Sequence, residues 1–199
     1  MSDLFFPLAA FAVSTSITPG PNNIMLTASG ANFGFRRTLP HMAGIAFGFP
    51  LMLLAICLGL GGVFRALPQI HVILRYVGLV YLLWLAWKIA TSGPSTGSAE
   101  TTSKPLSFVQ AAGFQWVNPK AWIMAAGAVT TYTSPDRDVL IESLLIAGIF
   151  AAVSFPCVAL WASVGAALER LLREPLWLRV FNVTMAVLVV ASVLPFVFE

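Results

Sequence analysis

Charge is what this 199-residue chain has least of: Asp, Glu, Lys and Arg make up only 10% of it, against roughly 25% in soluble domains. With 58% hydrophobic residues and a mean hydropathy of +0.87, a water-soluble fold is excluded and an integral membrane protein indicated. Histidine and cysteine are scarce too, with two of each. Cys57 and Cys157 lie in separate apolar runs with no further Cys or His at ligand spacing, which excludes a disulfide framework and a metal site. No cofactor is called for. The acids are Asp3, Glu100, Asp136, Asp138, Glu142, Glu169, Glu174 and Glu199; none falls at the centre of a predicted helix, so a carboxylate relay at mid-membrane is excluded. No basic stretch precedes the first apolar run, so no cleavable signal is expected and the first helix stays in the mature protein.

What the chain does have is long apolar runs, two of them broken at the centre. Leu4 to Ile17 is too short to cross a hydrocarbon core that needs about 20 helical residues. The apolar pattern resumes after Thr18-Pro19-Gly20-Pro21-Asn22-Asn23 and continues to Ala31, so both arms form one spanning segment with an interrupted middle. Two prolines remove two donors, which leaves bare carbonyls behind the break and bare N–H groups ahead of it. Irregular backbone at membrane depth is tolerated only in a protein interior or along a polar cavity, and paired broken helices point to a transport site. Asn118-Pro119-Lys120 supplies the second break, inside the run from Phe108 to Thr131.

The remaining runs complete an all-α integral membrane protein of six transmembrane helices. Segment two is expected over Leu39–Leu60, with Gly44 and Gly48 at small-xxx-small spacing and a kink at Pro50. A basic turn, Asn32 to Arg37, precedes it. Segment three covers Ile70–Ala90, segment four Leu106–Thr131, segment five Val139–Ala167 and segment six Trp177–Phe198. Thr91 to Pro105, rich in Ser and Thr, reads as a flexible linker between repeats 1–90 and 106–199. An odd number of helices per repeat makes the repeats inverted. With both termini outside, seven Lys or Arg fall in the cytoplasm and three outside, with Lys120 in the membrane; this bias favours that orientation. The basic residues are thus topology signals, and no nucleic-acid partner is implied.

Asn118 before Pro119 is a strong helix start, and Gly20-Pro21 offers the same arrangement. Each break aims a positive helix end at the bundle centre, where a carboxylate can be held. Carbonyls left bare at Thr15, Ser16 and Ile17 suit an ammonium, so the pair of breaks suits a zwitterion. The expected substrate-binding residues are Thr18, Pro19, Gly20, Pro21, Asn22, Asn23, Gln115, Asn118, Pro119 and Lys120. Lys120, His41 and Glu142 are the candidates for coupling protons, although the position of His41 one turn into segment two favours a polar interfacial residue. Gln110, Gln115 and Asn182 either line the cavity or bond across helices.

The break residues, the following Gly34-Phe35-Arg36, the helix end from Trp84 to Lys88 and Val117-Asn118-Pro119-Lys120-Ala121 together resemble the lysine exporter/homoserine-threonine resistance (LysE/RhtB) family of amino-acid exporters. Tyr81 to Ala90 and Lys104-Pro105-Leu106-Ser107-Phe108 look most like its cysteine/O-acetylserine branch. The resemblance implies a multi-pass protein of the bacterial inner membrane that exports small amino acids and draws on protons, with the substrate, protons and lipid bilayer as partners; homo-oligomerisation is left open. An intramembrane hydrolase is the rival. It would need Ser29 beside His41 or His71, and no Gly-x-Ser-x-Gly or His-Glu-x-x-His motif accompanies them. A passive channel or assembly factor is the third reading.

Overall fold

The computed structural model describes residues 2–60, 62, 67–92, 104–134, 137–172 and 174–194. Most of the expected linker, with Arg65, Asp136 and Arg173, lies outside the described residues, as do the side chains of Asp3 and His71. The described residues form seven α-helices and no strand. These are α1 (Ser2–Ile17), α2 (Pro21–Ala55), α3 (Pro68–Ala90), α4 (Phe108–Phe114), α5 (Pro119–Tyr132), α6 (Val139–Leu168) and α7 (Pro175–Ala191).

Proline sets where several of them start. Pro21, Pro68, Pro119 and Pro175 each open a helix, a position where the missing N–H would have no helical partner. Helix α1, at 16 residues, is only about 24 Å long and cannot cross a core of about 30 Å by itself. Among the described residues, three stretches are long and apolar enough to do so: Pro21–Leu60, Val72–Ala90 and Val139–Leu168.

Helix α2 is in fact two helices joined at a kink. Gly34 takes φ 75° and ψ 164°, a conformation that side chains rarely adopt. The basic turn expected over Asn32 to Arg37 is therefore one glycine wide, with helix resuming at Phe35 rather than Leu39. Pro50, expected to kink segment two, sits in regular helical backbone. The irregularity comes later, in a π turn over Ile56–Leu60 where Gly59 takes φ 120°. The second break is a 3-10 turn over Gln115–Val117, followed by Asn118 as N-cap of α5. Ser107 and Gln110 form a capping box at the start of α4, which accounts for Gln110 as a helix cap.

Helices α2 and α6 form the central pair, and small residues allow their approach. A Cβ at Gly30 would run into the Ala162 carbonyl, and one at Gly165 into the Thr27 carbonyl. Gly44 and Gly48 serve α4 as the spacing predicts: a Cβ on Gly44 would lie 2.5 Å from the Phe108 oxygen, and on Gly48 2.6 Å from Ala112 Cα. Two buried apolar clusters result. One gathers Met25, Met42, Ile45, Leu85, Phe114 and Val158; the other gathers Leu8, Ala12, Phe49, Ala121, Ile146 and Phe150. The outer face of α3 exposes Val72, Tyr76, Val80, Leu83 and Trp87, a stripe that suits lipid and not water. Lys88 lies 4.8 Å over the Trp84 ring at its end, an arrangement typical of a membrane interface.

Gly30→Val and Gly165→Val should each lower the melting temperature in detergent and the folded yield, since overpacking costs about 1–3 kcal/mol and the obstructing atoms are backbone. Gly148→Val, where a Cβ meets nothing within 4 Å, should be close to neutral. Equal thermal stability of all three variants would contradict the packing described.

Candidate functional site

An end of helix in lipid must place its last carbonyls on some donor, because an unpaired buried polar group costs about 1–3 kcal/mol. At the end of α1 the carbonyls from Thr15 to Pro19 are all taken. The Asn23 side chain donates Nδ2–H bonds to the Ser16 and Thr18 carbonyls, both at 2.8 Å. The Trp161 indole donates to the Ile17 carbonyl at 3.1 Å, and the Thr18 hydroxyl to the Thr15 carbonyl at 2.9 Å. Lys120 Nζ, from the second break, donates to Thr18 O at 2.7 Å, Thr18 Oγ1 at 2.7 Å and Pro19 O at 3.2 Å. The carbonyls expected to stand bare for an ammonium are therefore occupied by the protein itself. The ammonium of Lys120 takes the next two carbonyls, those of Thr18 and Pro19.

A second link joins the breaks. Asn22 Nδ2 donates to Gln115 Oε1 at 2.9 Å and Gln115 Nε2 returns a bond to Asn22 Oδ1 at 3.3 Å, while also donating to the Ala111 carbonyl. Gln115 is fully buried. Asn118 accepts the backbone N–H of Lys120 at 3.2 Å, the N-cap bond that its sequence position predicts. At the two helix starts the N–H groups of Asn22, Asn23 and Ala121 take no partner from the described residues.

Between the breaks lies a small cavity, open on one side. Gly20, Asn22, Asn23, Gln115, Asn118 and Lys120 line it. Pro21 and Pro119 set the helix starts without lining it, and Thr18 and Pro19 lie outside it, exposed, holding Lys120. Ser16 was expected at the break for its carbonyl; its buried hydroxyl, which faces the cavity without a partner, was not expected, nor was the apolar wall of Ile45, Phe49, Met124 and Val158. Trp161 was also missed; its signal was an indole N–H in the middle of an apolar run, which needs an acceptor. No acid lines the cavity, and Lys120 is its one charged group among the described residues. Gly20 is needed for close approach and not for its backbone angles, which are extended (φ −179°). A Cβ there would stand 2.6 Å from Lys120 Cδ.

The other two coupling candidates sit elsewhere. Glu142, 5% exposed, accepts the Ser134 N–H at 2.9 Å and faces Arg137 at 3.5 Å, so it anchors the connection between α5 and α6 and enters neither cavity. The Arg137 contact is an ion pair without hydrogen-bond geometry, since Glu142 Oε1 has no hydrogen-bond partner. His41 is not the interfacial residue its position favoured: it is 2% exposed with neither ring nitrogen partnered. It borders a second cavity, beside Ser29, Asn32, Lys88 and Lys104. Asn182, fully buried, bonds across helices to Asn32 and to the Ser92 carbonyl.

Helices broken at a shared polar cavity inside an apolar bundle are the architecture of a membrane translocator, and comparison with known proteins agrees. Residues 13–198 match the LysE type translocator family, and the chain belongs to that family. It is a translocator and not an enzyme. It is 32% identical over 181 residues to the cysteine/O-acetylserine efflux protein of Salmonella typhimurium (strain LT2), and 31% identical to that of Escherichia coli (strain K12), with 90% of each chain covered in both cases. No solved structure matches.

Gly20→Ala should leave backbone and membrane level unchanged but push Lys120 off its three acceptors, lowering transport. Loss of charge-assisted bonds of about 1.5–3 kcal/mol corresponds to roughly a ten- to hundredfold effect. Gly113→Ala, with nothing within 4 Å of its Cβ, is the matched control. Wild-type transport in Gly20→Ala would show that the close approach has no functional weight.

Proposed function

We propose that this chain is a secondary exporter of small, uncharged-side-chain amino acids or their derivatives, of the cysteine/O-acetylserine or homoserine/threonine type, working in the bacterial inner membrane. Its six spans form two inverted three-helix repeats, 1–90 and 106–199, joined through 91–105 on the cytoplasmic side, with both termini outside. The pairing of helices supports this: α2 packs on α6 and α3 on α7, its counterpart in the other repeat, while α1 packs on α6 as α4 packs on α2, the exchange that an inverted pseudo-two-fold requires. The efflux proteins that the chain resembles support the substrate class.

The observation that carries the reading is the position of Lys120 Nζ on the Thr18 and Pro19 oxygens. An ammonium already sits where a substrate ammonium would be held. A zwitterion entering the cavity can exchange places with it: the substrate's amino group takes the carbonyls of the first break, and its carboxylate takes Lys120 together with the N–H groups of Asn22, Asn23 and Ala121. Both charges of the substrate are then matched, and none of the protein's is left unpaired. Lys120 is also the one titratable side chain lining this cavity, so a proton carried through it would ride on that amine. The absence of a lining carboxylate disfavours substrates with an extra positive charge.

Counterflow in proteoliposomes tests the carrier reading. External unlabelled O-acetylserine should drive exchange of internal label, whereas a passive channel gives flux without exchange and an assembly factor gives none. C-terminal reporter fusions should report an external terminus; activity in the cytoplasm would refute the orientation.

Lys120→Met keeps the length and removes the charge, and should reach the membrane yet lose roughly ten- to a hundredfold in transport. Lys120→Arg should rescue poorly, because a guanidinium cannot give up its proton. Wild-type rates in the methionine variant at matched protein levels would remove Lys120 from the site.

A further inference from the structure

The break cavity does not use His41, Lys88 or Lys104, and these three border a separate cavity with Ser29, Asn32 and Ser92. His41 is 2% exposed, lines this space, and has no partner on either ring nitrogen. A buried imidazole normally has one nitrogen donating and one accepting, so a ring left without either is a side chain waiting for a ligand. Neither Lys88 nor Lys104 has an acidic partner among the described residues, and no acid lines the cavity. Ser29 adds a hydroxyl, though its proton goes to Thr38 Oγ1, because Thr38 already donates to the Gly34 carbonyl.

This space is stacked on the break cavity along the same two helical arms. Met25 lines it, one turn from Asn22; His41 lines it, one turn from Ile45, which lines the break cavity. One helical turn is about 5–6 Å. What separates the two spaces is apolar: Met25, Met42 and Ile45 belong to one buried cluster.

We propose that the cavity walled by Ser29, Asn32, His41, Lys88 and Lys104 is a cytoplasmic antechamber that takes the carboxylate of the amino acid before it passes Met25 and Ile45 to reach the breaks. Lys88 and Lys104 draw the anionic end to the mouth, and a ring N–H of His41 meets it inside. The assignment of this space to the inner side rests on the exporter reading and its orientation.

The experiment reads the cavity independently of export. With Cys57→Ser and Cys157→Ser as background, Ser29→Cys, and separately Ser92→Cys at the mouth, are reacted in vesicles with an anionic and a cationic methanethiosulfonate reagent of similar size. The anionic reagent should react faster by about tenfold, since exposed charges at a protein mouth each contribute modestly, and Lys88→Gln with Lys104→Gln should abolish the preference. O-acetylserine should slow labelling in vesicles of phosphatidylcholine alone, and His41→Phe should raise the concentration needed by about tenfold. Equal rates for the two reagents, protection unchanged by His41→Phe, or protection that appears only when phosphatidylglycerol is added would each overturn the proposal. Failure of counterflow with these results intact would count against the exporter reading alone.

Discussion

A helix cannot stop in hydrocarbon without giving its last carbonyls a donor, and most of the centre of this protein answers that constraint. The end of α1 exposes carbonyls from Thr15 to Pro19, and they draw in side chains from three places: Asn23 from the far side of the break, Trp161 from α6, and Lys120 from the other half of the chain. The lysine can lie there only because Gly20 has no side chain in its path. The polar cavity follows from the same cause. Once the carbonyls of one break are covered by a side chain from the other, the N–H groups of Asn22, Asn23 and Ala121 and the space between the breaks remain, without a partner among the described residues.

The two apolar clusters fix where that space can be. One joins the second arm of the first break to the first arm of the second; the other joins the opposite arms. Both clusters draw on α2 and α6, which pass through the two. Glycine contacts between α2 and α6 involve backbone oxygen, so that crossing leaves no room for a side chain. The link between the breaks, by contrast, is made by side-chain bonds of Lys120, Asn22 and Gln115, the kind that a ligand can replace.

Both breaks were legible in the sequence because proline, glycine and Asn-Pro act locally: they stop or start a helix whatever surrounds them. Helix packing through Gly44 and Gly48 was legible for the same reason. What came to the carbonyls was not. Lys120 meets Thr18 across 102 positions, and no local pattern says whether a lysine beside a helix start turns toward a ligand or reaches over to another chain segment. His41 was misjudged because the helix was expected to begin at Leu39, which would put it one turn from water. The helix starts at Phe35, and the single-residue kink at Gly34 folds the arm 21–33 against it, so the ring is enclosed. Glu142 stood out as the acid nearest the hydrocarbon; its bond to Ser134 N–H is a loop anchor, which needs the fold to be seen.

The charge inventory of the two cavities constrains what can pass through them. Neither is lined by an acid, while Lys120 faces one and Lys88 and Lys104 the other. An isolated cation would meet like charge at both stages, and in a low-dielectric interior that repulsion is larger than at the surface. An isolated anion would bind well but would leave the ammonium of Lys120 and the carbonyls of the first break to compete for one another, holding the site in its resting arrangement. A zwitterion with a short neutral side chain satisfies both sets of groups at once. In the proposed exchange its amino group releases Lys120 from Thr18 and Pro19, and its carboxylate then compensates the released charge. The wall offers a substrate side chain both the apolar surface of Ile45, Phe49, Met124 and Val158 and the hydroxyls of Ser16 and Ser154, so size and hydrogen bonding can both discriminate among such substrates.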